Sequence, residues 1–149
     1  MNAMIERNVT KTAREQFDEL IKYAPEIQSD DFRLTTEAEY AEVLQSIQDH
    51  KYLTNEVIPF EITMDQALFS WYENVYQPLM RAIDEEGLLL SFPGATRGEL
   101  FLWVTRHWHF LKQEKGREIA VEEAVYSYGA KFGMGAFNRF LYRMKLVAA

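Results

Sequence analysis

The sequence predicts an all-α fold: a five- to six-helix, bundle-like single domain with a proline-kinked central helix. Three capping boxes support this prediction, because in each a Thr side chain and a Glu or Gln three residues later bond each other's backbone N–H groups at a helix start. They begin at Thr36, Thr63 and Thr96. Each box leads into apolar residues at helical spacing, which gives the helix a face to bury.

The elements follow in chain order. A first helix is expected from near Thr10 to Tyr23, and the boxes start the second, third and fourth. Pro78 lies inside the third helix, where it lacks the N–H for the Asn74 carbonyl, so a kink or break is expected there. The third and fourth helices are expected to end at the glycines of positions 87 and 116. The segments VEEAVYSYGAKF and AFNRFLYRMKL are predicted as fifth and sixth helices, and NEVIPFEI as a loop or edge piece.

Length and composition bound the class of protein. The chain has 149 residues, 48% of them hydrophobic, and no cysteine, so it can bury a core but has no disulfide or thiolate site. Residues 1–9 are expected to be a flexible N-terminus or a tag remnant, and residues 10–149 a single helical domain without internal repeats. The net charge of −7 disfavours direct nucleic-acid binding. No apolar run is long enough to span a membrane, so membrane insertion is not expected.

The segment VTRHWHFLKQEKG contains two of the three histidines. Residues two apart on a helix point in nearly opposite directions, so His107 and His109 do not form a metal-ligand pair. His107 falls on the apolar stripe and is predicted to be a hydrogen-bonded, mostly buried residue, with a role in a site as the alternative. The Glu-x-x-His pattern of di-metal helical bundles does not occur, and no phosphate loop or nucleophile motif is found. No catalytic residue, metal or cofactor is therefore assigned.

Two segments are rich in aromatic residues, SWYENVYQP and FPGATRGELFLWVTRH. Aromatic walls with a few polar groups are typical of small-molecule sites, although an aromatic stripe at helical spacing is more often part of a core. The candidate ligand-binding residues are Trp71, Tyr72, Tyr76, Trp103, Arg106 and His107.

Charged residues suggest an interaction surface. Asp84, Glu85 and Glu86 lie in the last turn of a helix, where acids are disfavoured, so they are expected either to be solvated or to meet a basic surface. After Glu123 the chain has no acid. Of the four basic residues that follow it, Arg139, Arg143 and Lys145 belong to an amphipathic segment. This segment is expected to fold back on the acids, to join two copies of the chain in a homodimer, or to dock on a partner protein.

A set of aromatic and turn residues resembles a known region. It comprises His50-Lys51-Tyr52, Ser70-Trp71-Tyr72, Val75-Tyr76, Pro78, Gly87-Leu88-Leu89, Phe92-Pro93-Gly94-Ala95-Thr96, Leu100, Trp103 and His107. It is similar to the C-terminal helical region of bacterial ParB-like-domain proteins that are described as transcriptional regulators. The likeness covers roughly residues 32–128 and implies a bacterial, cytoplasmic, helical accessory module. The ParB-like domain itself is not expected in this chain, so no DNA-binding activity or catalytic residue is carried over.

Two functions follow from these observations. The preferred one is a non-enzymatic regulatory or protein-interaction module, because no catalytic constellation is found. The alternative is a small-molecule-binding or enzymatic domain with an aromatic pocket around Tyr72, Tyr76, Arg106 and His107. In that alternative Arg106 would hold an anionic group and His107 would transfer protons.

Overall fold

The computed structural model describes residues 11–133, and every regular element in that range is helical. The elements are α1 (Ala13–Leu20), a 3₁₀ turn (Ile21–Tyr23), α2 (Pro25–Ser29), α3 (Glu37–Val57), α4 (Met64–Trp71), a π-helical segment (Tyr72–Tyr76), α5 (Gln77–Glu85), α6 (Leu88–Ser91), α7 (Arg97–Lys115) and α8 (Val121–Phe132). The predicted all-α class is confirmed. The fifth predicted helix is α8, and NEVIPFEI begins as the end of α3 and continues as a loop.

All three predicted capping boxes are formed. The hydroxyls of Thr36, Thr63 and Thr96 each accept from the backbone N–H three residues later, and the Glu or Gln at that position accepts from the Thr backbone N–H. Each box satisfies two N–H groups that a helix start leaves without a partner. Helices α3, α4 and α7 therefore begin where the sequence predicts.

The helical stretch that follows Thr63 changes type before Pro78. Pro78 is the second residue of α5, and the five residues that precede α5 form the π-helical segment. A proline cannot donate to the Asn74 carbonyl, and the wider π turn is a common way for a helix to accommodate such a lost bond. The side-chain amide of Asn74 donates to the Ser70 carbonyl at 2.8 Å. The expected break is thus a π-helical turn just before the proline.

The chain divides into two compact units, Met1–Val75 and Tyr76–Ala149. In the first unit α1, α3 and α4 contact one another, and in the second α5, α7 and α8 do so. The cores consist of side chains with almost no exposed surface: Phe17, Ile27, Val43, Ile47, Leu68 and Trp71 in the first unit, and Leu79, Ile83, Leu100, Phe101, Val104 and Val125 in the second. The single domain predicted for residues 10–149 stays a prediction, and the chain has two compact units.

The two units repeat one order of helices. Each has a helix of eight or nine residues, a short helix, a long helix of about twenty residues and a closing helix, with the same three helices in mutual contact. A shift of 57 residues aligns the first residue of α4, Met64, with the first residue of α8, Val121. Among the described residues the shift also aligns seven identical pairs: Ala38 with Ala95, Glu42 with Glu99, His50 with His107, Glu61 with Glu118, Ile62 with Ile119, Ala67 with Ala124, and Ser70 with Ser127.

The expectation that the sequence has no internal repeat stays a prediction, since what the two units share is an order of helices. Some aligned core positions hold similar apolar residues, as with Val43 and Leu100, and others hold identical ones, as with Ala67 and Ala124; all four are fully buried.

Two predicted segments lie outside the described residues. They are the flexible N-terminus of residues 1–9 and the sixth helix, AFNRFLYRMKL, with Arg139, Arg143 and Lys145. Among the described helices, none has both the length and the apolar content needed to cross a membrane.

Candidate functional site

His107 joins the long and closing helices of the second unit. Its Nε2 atom lies 2.9 Å from the Ser127 hydroxyl, which links α7 to α8 by a hydrogen bond. The side chain is 8% exposed. Burial lowers the pKa of His107, and the positive charge of Lys131 lowers this pKa further, while Glu114 acts in the opposite direction. The ring is therefore neutral at pH 7, where one nitrogen can donate and the other can accept.

His109 takes no part in this arrangement. It is exposed on α7, whereas His107 is buried, as the helical periodicity requires for residues two apart. In the part of the chain that the structure describes, no group of three or more His, Asp or Glu side chains could hold a metal ion.

Aromatic rings surround His107. Tyr128 and Phe132, one turn apart on α8, have ring centroids 5.6 and 5.8 Å from the imidazole, and Phe110 lies 6.3 Å from it. Phe92, just after α6, stacks on Tyr128 at 5.2 Å and meets the edge of Trp103 at 6.4 Å. Edge-to-face and offset contacts at such distances favour one fixed arrangement of the rings.

This arrangement leaves an open cleft of about 460 Å³, which we name the His107 cleft. Its lining residues come from α7 and α8: Trp103, Arg106, His107, Phe110, Tyr128, Lys131 and Phe132. The α7 residues repeat at three- and four-residue spacing and so share one face of that helix. A second hollow of about 410 Å³ adjoins the cleft and shares Trp103 and Phe132 with it. We name it the Phe92 hollow, and its other lining residues are Ser91, Phe92, Pro93, Gly94, Ala95 and Glu99.

The charged side chains that line the His107 cleft, Arg106 and Lys131, are both cations. Burial raises the pKa of Tyr128, and the charge of Arg106 opposes that rise, so Arg106 lies close enough to influence the phenol. The positive charge of Lys131 likewise lowers the pKa of His107. Two cations from different helices thus act on the neutral polar groups at the floor of the cleft. An anion placed there would be attracted by both.

The structure brings together three of the six candidate ligand-binding residues, namely Trp103, Arg106 and His107. Tyr76 is not in the cleft; it is buried, with its ring 5.6 Å from that of Phe101. Trp71 and Tyr72 belong to the first unit. Trp71 is fully buried, and its indole N–H donates to the Ser46 hydroxyl at 3.1 Å. Tyr72 is half-buried in the π-helical segment.

The acidic interaction candidates have different surroundings. Asp84 accepts two hydrogen bonds from the Arg97 guanidinium, at 2.6 and 3.1 Å, within the second unit. Glu85 and Glu86 are exposed. The basic residues expected to meet these acids lie outside the described residues, and Asp84 already has a cationic partner at the start of α7.

The α8 side of the cleft was missed by sequence reasoning. Tyr128, Lys131 and Phe132 share a face of α8 at three- and four-residue spacing, which is a readable signal. The spacing does not give the register between α7 and α8, and it is this register that brings the face of Tyr128 against His107. The hydrogen bond of Ser127 supplies that register.

The first unit contains the equivalent hydrogen bond. His50 Nε2 lies 2.8 Å from the Ser70 hydroxyl, between α3 and α4, and burial lowers the pKa of His50. Both His–Ser pairs span 20 residues and occupy matching positions in the two units. The pair is therefore a shared structural connection between the two helices of each hairpin.

Comparison of the chain with protein-family models, with curated proteins and with solved structures finds no match.

Proposed function

We propose that the chain is a non-enzymatic interaction module that binds a partner protein through the His107 cleft. The observation that supports this proposal is the exposure of aromatic rings at the edge of a cleft that two cations line. Phe110 and Phe132 are 53% and 59% exposed beside Arg106. Aromatic and Arg side chains are enriched among the residues that contribute most to protein interfaces.

The His107–Ser127 pair does not favour acyl-transfer chemistry. Ser127 lies in the middle of α8, where the neighbouring backbone N–H groups bond within the helix. A nucleophilic serine needs N–H donors directed at the developing oxyanion, and a mid-helix serine has none from its own backbone. The structural connection between α7 and α8 is the better interpretation of this pair.

Affinity capture with a matched variant tests the interaction module. The full chain is immobilised beside its Phe132→Ser and Tyr126→Ser variants; Tyr126 is also exposed on α8 but does not line the cleft. We expect a specific partner to be retained by the wild type and by Tyr126→Ser but not by Phe132→Ser. If every retained protein binds all three forms equally, the cleft is not the interaction site.

The volume of the His107 cleft favours a second candidate, a small-molecule-binding or enzymatic domain. About 460 Å³ falls within the usual range of small-molecule pockets. In this alternative Arg106 holds an anionic group and His107 exchanges protons with the ligand. A thermal-shift screen of nucleotides and metabolites tests it, since a ligand that binds only the folded state raises its apparent stability. A shift that Arg106→Ala abolishes would support this alternative.

The biological setting stays a proposal as well. The resemblance to regions that accompany ParB-like domains supports a regulatory role in a bacterial cytoplasm. The charge pattern of the sequence supports a homodimer formed through Arg139, Arg143 and Lys145. Light scattering of the full chain at two salt concentrations tests the homodimer, because an interface of opposite charges weakens as salt rises.

A further inference from the structure

We propose that the partner segment held by the His107 cleft is an acidic peptide with an aromatic anchor, and that the matching position of the first unit has no such role. This inference rests on the interaction function proposed above and specifies the chemistry of its partner. Its starting point is a comparison of the two hairpins, since each joins its long and closing helices by a His–Ser hydrogen bond.

The shared scaffold is the His–Ser hydrogen bond. Around it the two units differ in charge: Arg106 and Lys131 of the second unit replace Asp49 and Asn74 of the first. At these two positions the formal charge changes from −1 to +2, while Glu114 adds one negative charge near His107 where the first unit has Val57. Scaffold requirements do not explain the change, since both hairpins form the same bond at 2.8 and 2.9 Å.

The aromatic residues differ as well. In the first unit Trp71, on the closing helix, is fully buried and bonds to Ser46 on the long helix. In the second unit the equivalents are Tyr128 and Trp103, so the large ring is on the long helix and the smaller one on the closing helix. Both are only half-buried and line the cleft. The second unit therefore has two half-buried aromatic rings, Trp103 and Tyr128, at the positions where the first unit has the fully buried Trp71 bonded to Ser46.

The positive charges indicate the polarity of the ligand. Lys131 and Arg106 come from α8 and α7 and act on His107 and Tyr128, which are both neutral at pH 7. A carboxylate beside them would gain two attractive interactions, and these should weaken as salt is added because both cations are exposed.

The shape of the surface favours a peptide over a free small acid. Phe110 and Phe132 are more than half exposed, so two walls of the cleft face solvent, whereas typical small-molecule pockets enclose most of the ligand. The Phe92 hollow extends the surface past Trp103 and Phe132, and Glu99 lies in its lining. An extended segment can place its acidic residues near Arg106, an aromatic side chain between Trp103 and Phe132, and a basic residue toward Glu99.

Titration with short unlabelled peptides tests this order of residues. The probe is the acetylated, amidated peptide Glu-Glu-Phe-Ala-Lys. Its binding is measured by isothermal titration calorimetry and by NMR shifts of the amide and ring resonances of the full-length chain. Three controls accompany it: the charge-reversed peptide Lys-Lys-Phe-Ala-Glu, the anchor-less Glu-Glu-Ala-Ala-Lys, and phenylacetate as a free aromatic acid. We expect only the first peptide to bind, with resonance shifts at His107 and Phe132 and none at His50.

The decisive comparison uses a variant that carries the first unit's residues at the two cationic positions of the cleft. Arg106→Asp combined with Lys131→Asn should weaken the first peptide at least about tenfold. Arg81→Asp, an exposed charge change on α5 away from the cleft, should leave its affinity unchanged. All three positions are exposed, and circular dichroism of each variant verifies that the helices are intact.

Several results would overturn the inference. They are equal binding of the charge-reversed peptide, no saturable binding of the first peptide at millimolar concentration, phenylacetate binding as tightly as the peptide, or shifts centred on His50. If a captured partner depends on Phe132 but none of these peptides binds, the interaction function stands and the acidic peptide is wrong. If capture does not depend on Phe132, the interaction function itself fails.

Discussion

The Nε2 atom of His107 and the hydroxyl oxygen of Ser127 lie 2.9 Å apart and connect α7 to α8. The bond holds one hairpin in register, and the His50–Ser70 bond at 2.8 Å does the same in the other unit. Because His107 is buried, its ring nitrogen has little access to water if the serine is removed. The energetic consequence can be measured directly.

Replacing Ser127 by Ala should lower the free energy of unfolding by about 1–3 kcal/mol, the usual cost of a buried polar group without a partner. Urea denaturation followed by circular dichroism measures the loss. The exposed Ser29, replaced by Ala, is the control and should change the free energy by less than about 0.5 kcal/mol. Equal effects at the two positions would contradict a structural role for the His107–Ser127 bond.

Stability should fall as the pH decreases from 7.5 to 5. The pKa values of His50 and His107 are below the ordinary value of 6.5 in the folded chain, so the unfolded chain binds more protons in this window. The free energy of unfolding must then decrease from just above pH 6.5 downward, until the pH reaches the folded-state values. The carboxylates with lowered pKa values, Glu19, Asp65 and Glu123, contribute only at lower pH, near and below their ordinary range.

The double variant His50→Gln with His107→Gln isolates the histidine contribution. Its unfolding free energy should change less between pH 7.5 and 5 than that of the wild type, although its stability at pH 7.5 is lower. Urea denaturation at several pH values makes the comparison. An unchanged slope in the double variant would assign the pH dependence to other groups.

The tryptophans Trp71 and Trp103 should respond differently to truncation. Trp71→Ala removes a fully buried side chain and should cost about 3–5 kcal/mol. Trp103 is half-buried at the cleft, so Trp103→Ala should cost less while weakening the binding of a partner at that site. Chemical denaturation measures both losses, and the capture experiment measures binding. A larger stability loss for Trp103 would place it in the core rather than at the cleft.

Gly129 tests the packing of α8 against α6. A Cβ atom at this position would lie 2.8 Å from Leu88 Cδ1, and Leu88 is buried. Helix propensity alone would favour Ala by about 1 kcal/mol, but forcing a buried side chain to move costs about 1–3 kcal/mol. We therefore expect Gly129→Ala to destabilise the chain, and thermal denaturation measures the loss. In a chain that already carries Leu88→Ala, the same change should stabilise the chain through helix propensity. If it still destabilises that chain, the clash with Leu88 is not the cause.

The helix starts could be predicted from sequence because capping is local. A Thr and a Glu or Gln three residues apart satisfy N–H groups within one turn, so the boxes at Thr36 and Thr96 need no information from elsewhere in the fold. The short helices α2 and α6 were not predicted, since four or five residues have too little periodicity to recognise. The π-helical segment was predicted only as a break, since Pro78 removes a hydrogen bond without specifying how the turn compensates.

Only half of the candidate site could be predicted. The α7 side, with Trp103, Arg106 and His107, follows from one helix's own spacing. The partners of these residues on α8 depend on the register of two helices, and register is a property of tertiary packing. The Asp84–Arg97 pair shows the same limit: two charges 13 positions apart meet because of the fold between them.

The two units differ in their tryptophans: Trp71 belongs to the first, whereas Trp103 and Trp108 belong to the second. Indole emission can therefore be assigned to each half of the molecule by substitution. Trp71→Phe leaves light only from the second half, and Trp103→Phe with Trp108→Phe leaves light only from the first. Heating the two variants while recording emission would show whether the halves melt at one temperature or in sequence. The same spectra would report which half senses a bound ligand.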